Sequence, residues 1–270
     1  MKPHLQAFRG IVHVSDSELR RMIVSTPHLL TNPRTLPRLE FWKKFVAGDM
    51  KKLFLAATRN KGLVNSDIKS VAPKIALLRD HGLSDETIRQ ILVIGSRVFA
   101  LSIPSLELLL KRVQELGFQH GSSMFAYGLS ILSNFGVDTF KVKVGVFKSY
   151  GWSEREFAVA FNKYPFFLGL SKENIQKKME FLVGRVGCLQ SYIVSHPILL
   201  GLSLEKRLMP RYHVISCLKM NKSISREWDL CTIMRHSDNI FLEKFILRYK
   251  ELEPMLLETY AAACEGRATP

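Results

Sequence analysis

A short run of apolar residues, closed by one polar residue, recurs along this chain. Pro165-Phe-Phe-Leu-Gly-Leu-Ser171 returns almost unchanged 32 residues later as Pro197-Ile-Leu-Leu-Gly-Leu-Ser203, and a looser copy begins at Pro27. The stretches between these runs carry apolar residues at helical spacing, as at Phe157 and Phe161. A period of this length is typical of stacked helical repeats, in which each unit buries its apolar faces against its neighbours.

The polar residue that closes each run marks the start of a long helix. Ser, Thr and Asn side chains accept hydrogen bonds from the unpaired N–H groups of a first helical turn, so we predict that these residues are N-caps. The predicted caps lie 31 to 38 residues apart and are Thr31, Asn65, Ser102, Ser133, Ser171 and Ser203. The proline that opens the run is missing before the second, third and fourth of these caps.

A residue suited to a left-handed backbone follows most caps by 15 to 18 positions. Glycine adopts a positive φ without steric cost, so we predict that it ends each long helix. The predicted helix-ending residues are Gly48, Gly82, Gly117, Gly151 and Gly187, with Asn221 in the equivalent place of the last repeat.

A second helix is predicted after each glycine. Ser153 and Glu156 have the spacing of a capping box, which satisfies two N–H groups reciprocally. We expect this helix to end before Pro165 or Pro197, because proline disfavours helix at the residue that precedes it. Each repeat therefore consists of a long helix, a glycine, a second helix, a proline, a short apolar turn and the next cap.

These units predict an all-α protein, built of stacked helical repeats of 31–38 residues that form a superhelical solenoid. We expect the repeat domain to span residues 19–260, between an N-terminal segment (1–18) and a C-terminal tail (261–270). No apolar run reaches the roughly 18 to 20 residues that a membrane helix needs, so we expect no membrane partner. We expect the chain to be a monomer.

Net charge is the unusual property of the composition. The formal charge is +15 and the pI is about 9.8, which predicts attraction to a polyanion. The predicted long helices hold 20 Lys and Arg against 9 Asp and Glu, whereas the second helices hold 4 of each sign. Stacking would place the long helices side by side, so we predict a positive stripe that contacts nucleic-acid phosphates. The candidate binding residues are Arg34, Arg38, Lys74, Lys111, Arg112, Lys141, Lys143, Lys177, Lys178, Lys206, Arg207 and Arg211.

Catalytic and metal-binding motifs are absent from the sequence. It has no phosphate-binding loop, zinc-protease helix, nucleophile elbow or dinucleotide fingerprint. The four cysteines form no C-x-x-C pair and lack zinc-site spacing, so we interpret them as buried single thiols. We therefore predict a protein that is not an enzyme and has no cofactor, no metal and no catalytic residues.

The repeats resemble those of the mitochondrial transcription termination factor family, in its expanded plant branch. The matching features are clearest in Leu77–Ser84, Gly151–Ser171 and His196–Ser203, and the ending Phe241–Tyr249 is also similar. The resemblance covers roughly residues 19 to 260. It implies a helical superhelix whose basic groove holds double-stranded DNA in mitochondria or chloroplasts, the mitochondrion being slightly favoured. Members act in organelle transcription, and some plant members act on organelle RNA and splicing.

Three functions remain open at this point. The first is double-stranded DNA binding that regulates transcription, including termination, with Arg97, Arg112 and Arg211 as candidate base-reading side chains. The second is an RNA-binding factor for splicing or transcript processing on the same scaffold. The third is a helical scaffold for protein partners, which predicts an apolar or acidic groove instead of a basic one. We interpret the aromatic residues Trp152, Phe166 and Phe167 as core.

Overall fold

The protein is helical throughout the part that the structure describes. The computed structural model describes residues 34–59, 66–221 and 229–265, together with Ser15, Ser17, Arg20, Arg21 and Val24. The chain divides into two compact units, Met1–Lys141 and Val142–Pro270. No helix in the described ranges is long and apolar enough to cross a membrane.

In the first unit the helices are α1 (Thr35–Phe45), α2 (Met50–Arg59), α3 (Ile68–Asp80), α4 (Asp85–Ile94), α5 (Ile103–Glu115) and α6 (Ser123–Leu132), and α7 (Val137–Ser149) contains the boundary between the units. In the second unit they are α8 (Glu154–Lys163), α9 (Lys172–Met179), α10 (Gln190–Ser195), α11 (Ile198–Gly201), α12 (Met209–Met220), α13 (Leu230–Arg235), α14 (Asp238–Phe241) and α15 (Leu256–Cys264). Wide π-type turns extend three of these helices, at Glu180–Arg185, Leu204–Leu208 and Leu242–Ile246. Single 3₁₀ turns lie at Ser96–Ala100, Pro165–Gly169 and Leu247–Tyr249.

Helices of successive repeats pack on one another within each unit. The second helices α2, α4 and α6 pack in series, and the long helix α3 packs on α5. In the other unit α8 packs on α10, and α11 packs between α9 and α13. The prediction of an all-α fold of stacked helical repeats is therefore confirmed.

The predicted punctuation of the repeats is largely confirmed. Every glycine predicted to end a long helix has a positive φ, between 76° and 88°. Ser102, Ser171 and Ser203 cap long helices with their side chains. Ser153 and Glu156 form the predicted capping box.

Some of the predicted caps need correction, and others fall outside the described residues. Ser133 ends α6 instead of starting α7, because its hydroxyl donates back to the Ser130 carbonyl at 2.7 Å. Asn221 has a φ of −83°, so the helix before it ends without a left-handed residue. Thr31 and Asn65 lie outside the described residues. Within them, Asp67 caps α3.

Aromatic side chains fill the core of the second unit. Phe147 is fully buried and its ring lies 4.9 Å from that of Trp152 and 5.1 Å from that of Phe167. Phe157 and Phe161 complete this cluster as a stacked pair. The apolar turn, the long helix and the second helix of one repeat thus meet in one core, as the pattern of apolar positions predicts.

Two glycines of the same repeat should respond oppositely to alanine. Gly151 has a φ of +88°, and a Cβ there would lie 2.9 Å from Oε1 of Gln190, so we expect Gly151→Ala to destabilise the protein by about 1–2 kcal/mol. Gly145 is exposed in the middle of α7 with nothing within 4 Å of its Cβ position, so Gly145→Ala should stabilise it by about 0.5–1 kcal/mol. Urea unfolding of both variants checks the signs, and a loss of stability in both would contradict this account.

Candidate nucleic-acid interface

Several of the predicted binding residues lie inside the protein, where they join one repeat to the next. The seventh residue of α3 is Lys74, which is 7% exposed, and its Nζ donates to the Phe99 carbonyl at 2.7 Å. The seventh residue of α7 is Lys143, which donates to the carbonyls of Leu168 and Leu170. We call such a contact a repeat lock: a long-helix cation bonded to the carbonyls just before the next long helix.

The same lock recurs in the following repeat with the same register. Lys178, the seventh residue of α9, is 3% exposed and donates to the carbonyls of Leu200 at 2.7 Å and Leu202 at 2.6 Å. These carbonyls lie three and one residues before the cap Ser203. Leu168 and Leu170 stand in the same relation to the cap Ser171. The lock is therefore a feature of the repeat and not of one site.

An arginine makes the last lock. Arg211 is fully buried and its Nη1 donates to the carbonyls of Ile233, Met234 and His236 at 2.7–3.1 Å. Its Nη2 donates to Asp238 at 2.5 Å, and the guanidinium lies over the Phe241 ring at 4.6 Å. Arg211 is the eighth residue of its long helix because the π-type turn before α12 adds one residue to the register.

A cation suits this position for a physical reason. The carbonyls at the end of a helical turn have no partner within the turn, and they form the negative end of its dipole. An ammonium or guanidinium group satisfies them and is attracted to that end. Burial lowers the pKa of Lys74, Lys143 and Lys178 from the ordinary value for lysine.

A different set of predicted cations is exposed. Lys111, Lys141, Lys177 and Lys206 all point to solvent, one from each of four successive long helices. Lys111 has a weak contact with Glu115, at 3.9 Å on the same helix. Each exposed lysine lies within five residues of a buried or half-buried cation on its own helix. We name Lys111, Lys141, Lys177 and Lys206 the exposed lysines.

The remaining candidates fall between these two groups. Arg34 is exposed just before α1, and Arg38 is half-buried within it. Arg207 is half-buried and pairs with Asp238 at 3.3 Å. Arg112 is also half-buried, with its guanidinium 4.6 Å from the centre of the Phe140 ring. The continuous stripe across all long helices stays a prediction.

The side chains predicted to contact bases also include both exposed and buried residues. Arg97 is exposed on the turn that precedes α5, whereas Arg211 is enclosed by its lock. Trp152 and Phe167 are core, as predicted, but Phe166 is 38% exposed, with its ring 5.1 Å from that of Tyr164. Phe166 lies between two buried residues, Pro165 and Phe167, on one helical turn. The run of apolar residues in the sequence does not show which of them faces outward.

Sequence reasoning missed the partners of the lock cations. The acceptors are main-chain carbonyls, which every residue has, so no residue type marks them. The available signal was positional: a basic residue recurs seven residues after the caps Asp67 and Ser171. A lysine on the core side of an amphipathic helix is the pattern that distinguishes a lock from an exposed charge.

Lys177 and Lys178 are neighbours that test the division between lock residues and exposed lysines directly. We expect Lys178→Met to lower the free energy of unfolding by about 2–3 kcal/mol, because two buried carbonyls lose a charged donor. Lys177→Met removes an exposed side chain of the same helix and should change stability by less than about 0.5 kcal/mol. Urea denaturation followed by circular dichroism measures both, and equal effects of the two substitutions would contradict the lock.

The described residues show no metal-binding group. No cluster of three or more His, Cys, Asp or Glu side chains that could hold an ion occurs among them. The cysteines are free thiols, of which Cys231 is buried and the others are half-buried. Burial raises the pKa of Cys188 to about 11, which keeps this thiol protonated and weakly nucleophilic at neutral pH.

Together, the stacked helix pairs, the locks between them and the exposed lysines define a basic α-helical repeat protein. The mTERF family model matches residues 1–242, so the chain belongs to the mTERF family. The resemblance noted in the sequence is thereby confirmed.

Two relatives from Arabidopsis thaliana match part of the chain. One is transcription termination factor MTERF8, chloroplastic, 22% identical over 176 residues, which cover 65% of this chain and 35% of the relative. The other is transcription termination factor MTERF15, mitochondrial, 30% identical over 113 residues, which cover 42% of this chain and 25% of the relative. The matched regions thus span about a third or less of either relative.

Proposed function

We propose that the protein binds double-stranded DNA in an organelle and regulates transcription there, including its termination. The observation that carries this proposal is the separation of the long-helix cations into lock residues and exposed lysines. After the locks are set aside, Lys111, Lys141, Lys177 and Lys206 remain in solvent, and the last three of these lie on long helices with more Lys and Arg than Asp and Glu. Exposed lysines on successive repeats suit a partner with regularly spaced negative charges, and phosphates provide them.

The variability of the repeats favours contact with the phosphate backbone. Proteins that read one base per repeat hold a fixed set of recognition side chains at equivalent positions. In this chain the third residue of the long helices from α3 onward is not fixed in type and is Ser70, Ser105, Thr139, Asn174 or Lys206. Binding that depends on backbone charge and not on a base code favours duplex DNA as the partner. Arg97 is the exposed candidate for a contact with a base.

The names of the relatives support an organelle role. One is called a chloroplastic and the other a mitochondrial transcription termination factor. Both organelles transcribe their own DNA, so the proposed activity is the same in either. The mitochondrion is our preferred location, and RNA is the alternative partner.

A titration at several salt concentrations tests the proposal. The purified chain is mixed with a labelled DNA duplex, and with single-stranded RNA of the same length and sequence, and binding is followed by fluorescence anisotropy. We expect tighter duplex binding, with the logarithm of the affinity falling linearly with the logarithm of salt at about −0.9 per phosphate contacted. Preference for RNA would select the processing role, and no binding to either at low salt would overturn the proposal.

A further inference from the structure

One described repeat junction has no lock. The seventh residue of α5 is Leu109, at the position that holds Lys74 in α3, Lys143 in α7 and Lys178 in α9. Leu109 is buried, at 5% exposure, and its side chain has no hydrogen-bond donor. The junction between α5 and residues 133–137 therefore lacks the contact that a lock provides at the other described junctions.

A cavity lies where the lock would be. It measures about 180 Å³, and its wall includes Leu109, Arg112, Ser133 and Phe135. Ser133 and Phe135 lie three and one residues before Gly136, which directly precedes α7. They occupy the positions of the lock acceptors Leu168 and Leu170 or Leu200 and Leu202. The cavity thus separates the seventh residue of a long helix from the backbone that it contacts elsewhere.

The nearby arginine does not replace the missing lock. The Arg112 guanidinium lies over the ring of Phe140, and its Nη2 is buried without a hydrogen-bond partner. Burial lowers the pKa of Arg112, so the charge is held at a cost to folding. Arg112 therefore contacts α7 through the Phe140 ring, in place of a bond to main-chain carbonyls, and leaves one buried donor unsatisfied.

The connecting segment is closed locally and not by the preceding repeat. The Ser130 carbonyl accepts from the hydroxyl of Ser133 at 2.7 Å and from the side-chain amide of Asn134 at 3.0 Å. Both donors belong to the same segment as the acceptor. The end of α6 is therefore satisfied without any long-helix cation, and no Pro-initiated apolar turn follows it.

We propose that this junction is a soft joint in the repeat stack. The contact between α5 and residues 133–137 opens more readily than the locked junctions, because it lacks charged hydrogen bonds and borders a cavity. Among the described junctions it is the one at which the helices separate first. The joint is a property of the free protein and does not depend on the proposed function.

Hydrogen exchange at four amides, one near the start of each long helix, tests the joint in the full chain without nucleic acid. Phe140 donates to Gly136, Leu106 to Ser102, Ile175 to Ser171 and Leu208 to Ser203, each in the first bonded turn of a long helix. After correction for intrinsic rates, we expect protection at the Phe140 amide to be at least tenfold lower than at the other three. Equal protection at all four amides would overturn the proposal.

Installing and removing a lock identifies the cause. Leu109→Lys places an ammonium opposite the Ser133 and Phe135 carbonyls and should raise protection at Phe140 by about tenfold. Leu109→Met places an unbranched side chain without a charge there and serves as the matched control. Lys178→Met should lower protection at Leu208 toward that of Phe140. If Leu109→Met matches Leu109→Lys, or Lys178→Met leaves Leu208 unchanged, the lock does not set the difference.

Discussion

Replacing Arg211 with methionine is expected to lower the free energy of unfolding by about 3–5 kcal/mol, the largest effect among the four lock residues. The substitution leaves the carbonyls of Ile233, Met234 and His236 buried without their donor and removes the ion pair with Asp238. It also removes the cation over the Phe241 ring, at the edge of a core that includes Phe245 and Tyr260. Methionine fills part of the volume, so the loss reports the hydrogen bonds more than the packing.

Two variants separate the lock from the ion pair. Arg207 shares Asp238 but is partly exposed, so Arg207→Met should cost less than about 1 kcal/mol. Arg211→Lys keeps the charge but reaches fewer acceptors than the guanidinium fork, so its stability should fall between wild type and Arg211→Met. Urea unfolding at neutral pH measures all three. If Arg207→Met and Arg211→Met were equally destabilising, the buried carbonyls would have no special role.

Removing the exposed lysines together is expected to abolish most duplex binding and leave the fold intact. The variant changes Lys111, Lys141, Lys177 and Lys206 to Gln. If all four contact phosphates, the salt slope should fall by about 0.9 for each, and the affinity at low salt should drop at least about a hundredfold. Stability should change little, because solvent-exposed positions away from caps and locks seldom matter to folding.

A charge-matched control is available on other parts of the protein. Arg155, Arg235, Arg248 and Lys250 are also exposed, and none of them lies on a long helix that carries one of the exposed lysines. Changing these four to Gln lowers the net charge by the same amount. We expect this control to bind the duplex within a few-fold of wild type. If both variants lose affinity equally, binding follows net charge alone and the exposed lysines have no particular place in the interface.

The locks change how the charge of this chain is interpreted. A charge of +15 indicates a polyanion partner, yet Lys74, Lys143, Lys178 and Arg211 are occupied within the protein by main-chain carbonyls. Contact with nucleic acid through these residues would first break buried hydrogen bonds to charged donors. The proposed interface would therefore use fewer cations than the composition indicates, namely those whose substitution spares the fold.

Local rules of the backbone account for what the sequence by itself determined. Glycine at a positive φ, serine at an N-cap and proline after a helix act within a few residues, so their positions predict where each helix begins and ends. Gly82, Gly117 and Gly151 all took the predicted conformation. The prediction for Ser133 was wrong because a serine hydroxyl can donate to a carbonyl at the end of a helix as well as accept from an N–H at the start of one. The residue type alone does not distinguish the two.

Only the tertiary structure decided which cations are exposed to solvent and which are bonded within the protein. Lys177 and Lys178 are neighbours of the same type, and a rotation of about 100° around the helix axis places one in solvent and the other under the next repeat. The acceptors of Lys178 lie 22 and 24 residues further along the chain. The sequence thus determined the repeats and their charge, whereas the packing of one repeat on the next determined what each charge does.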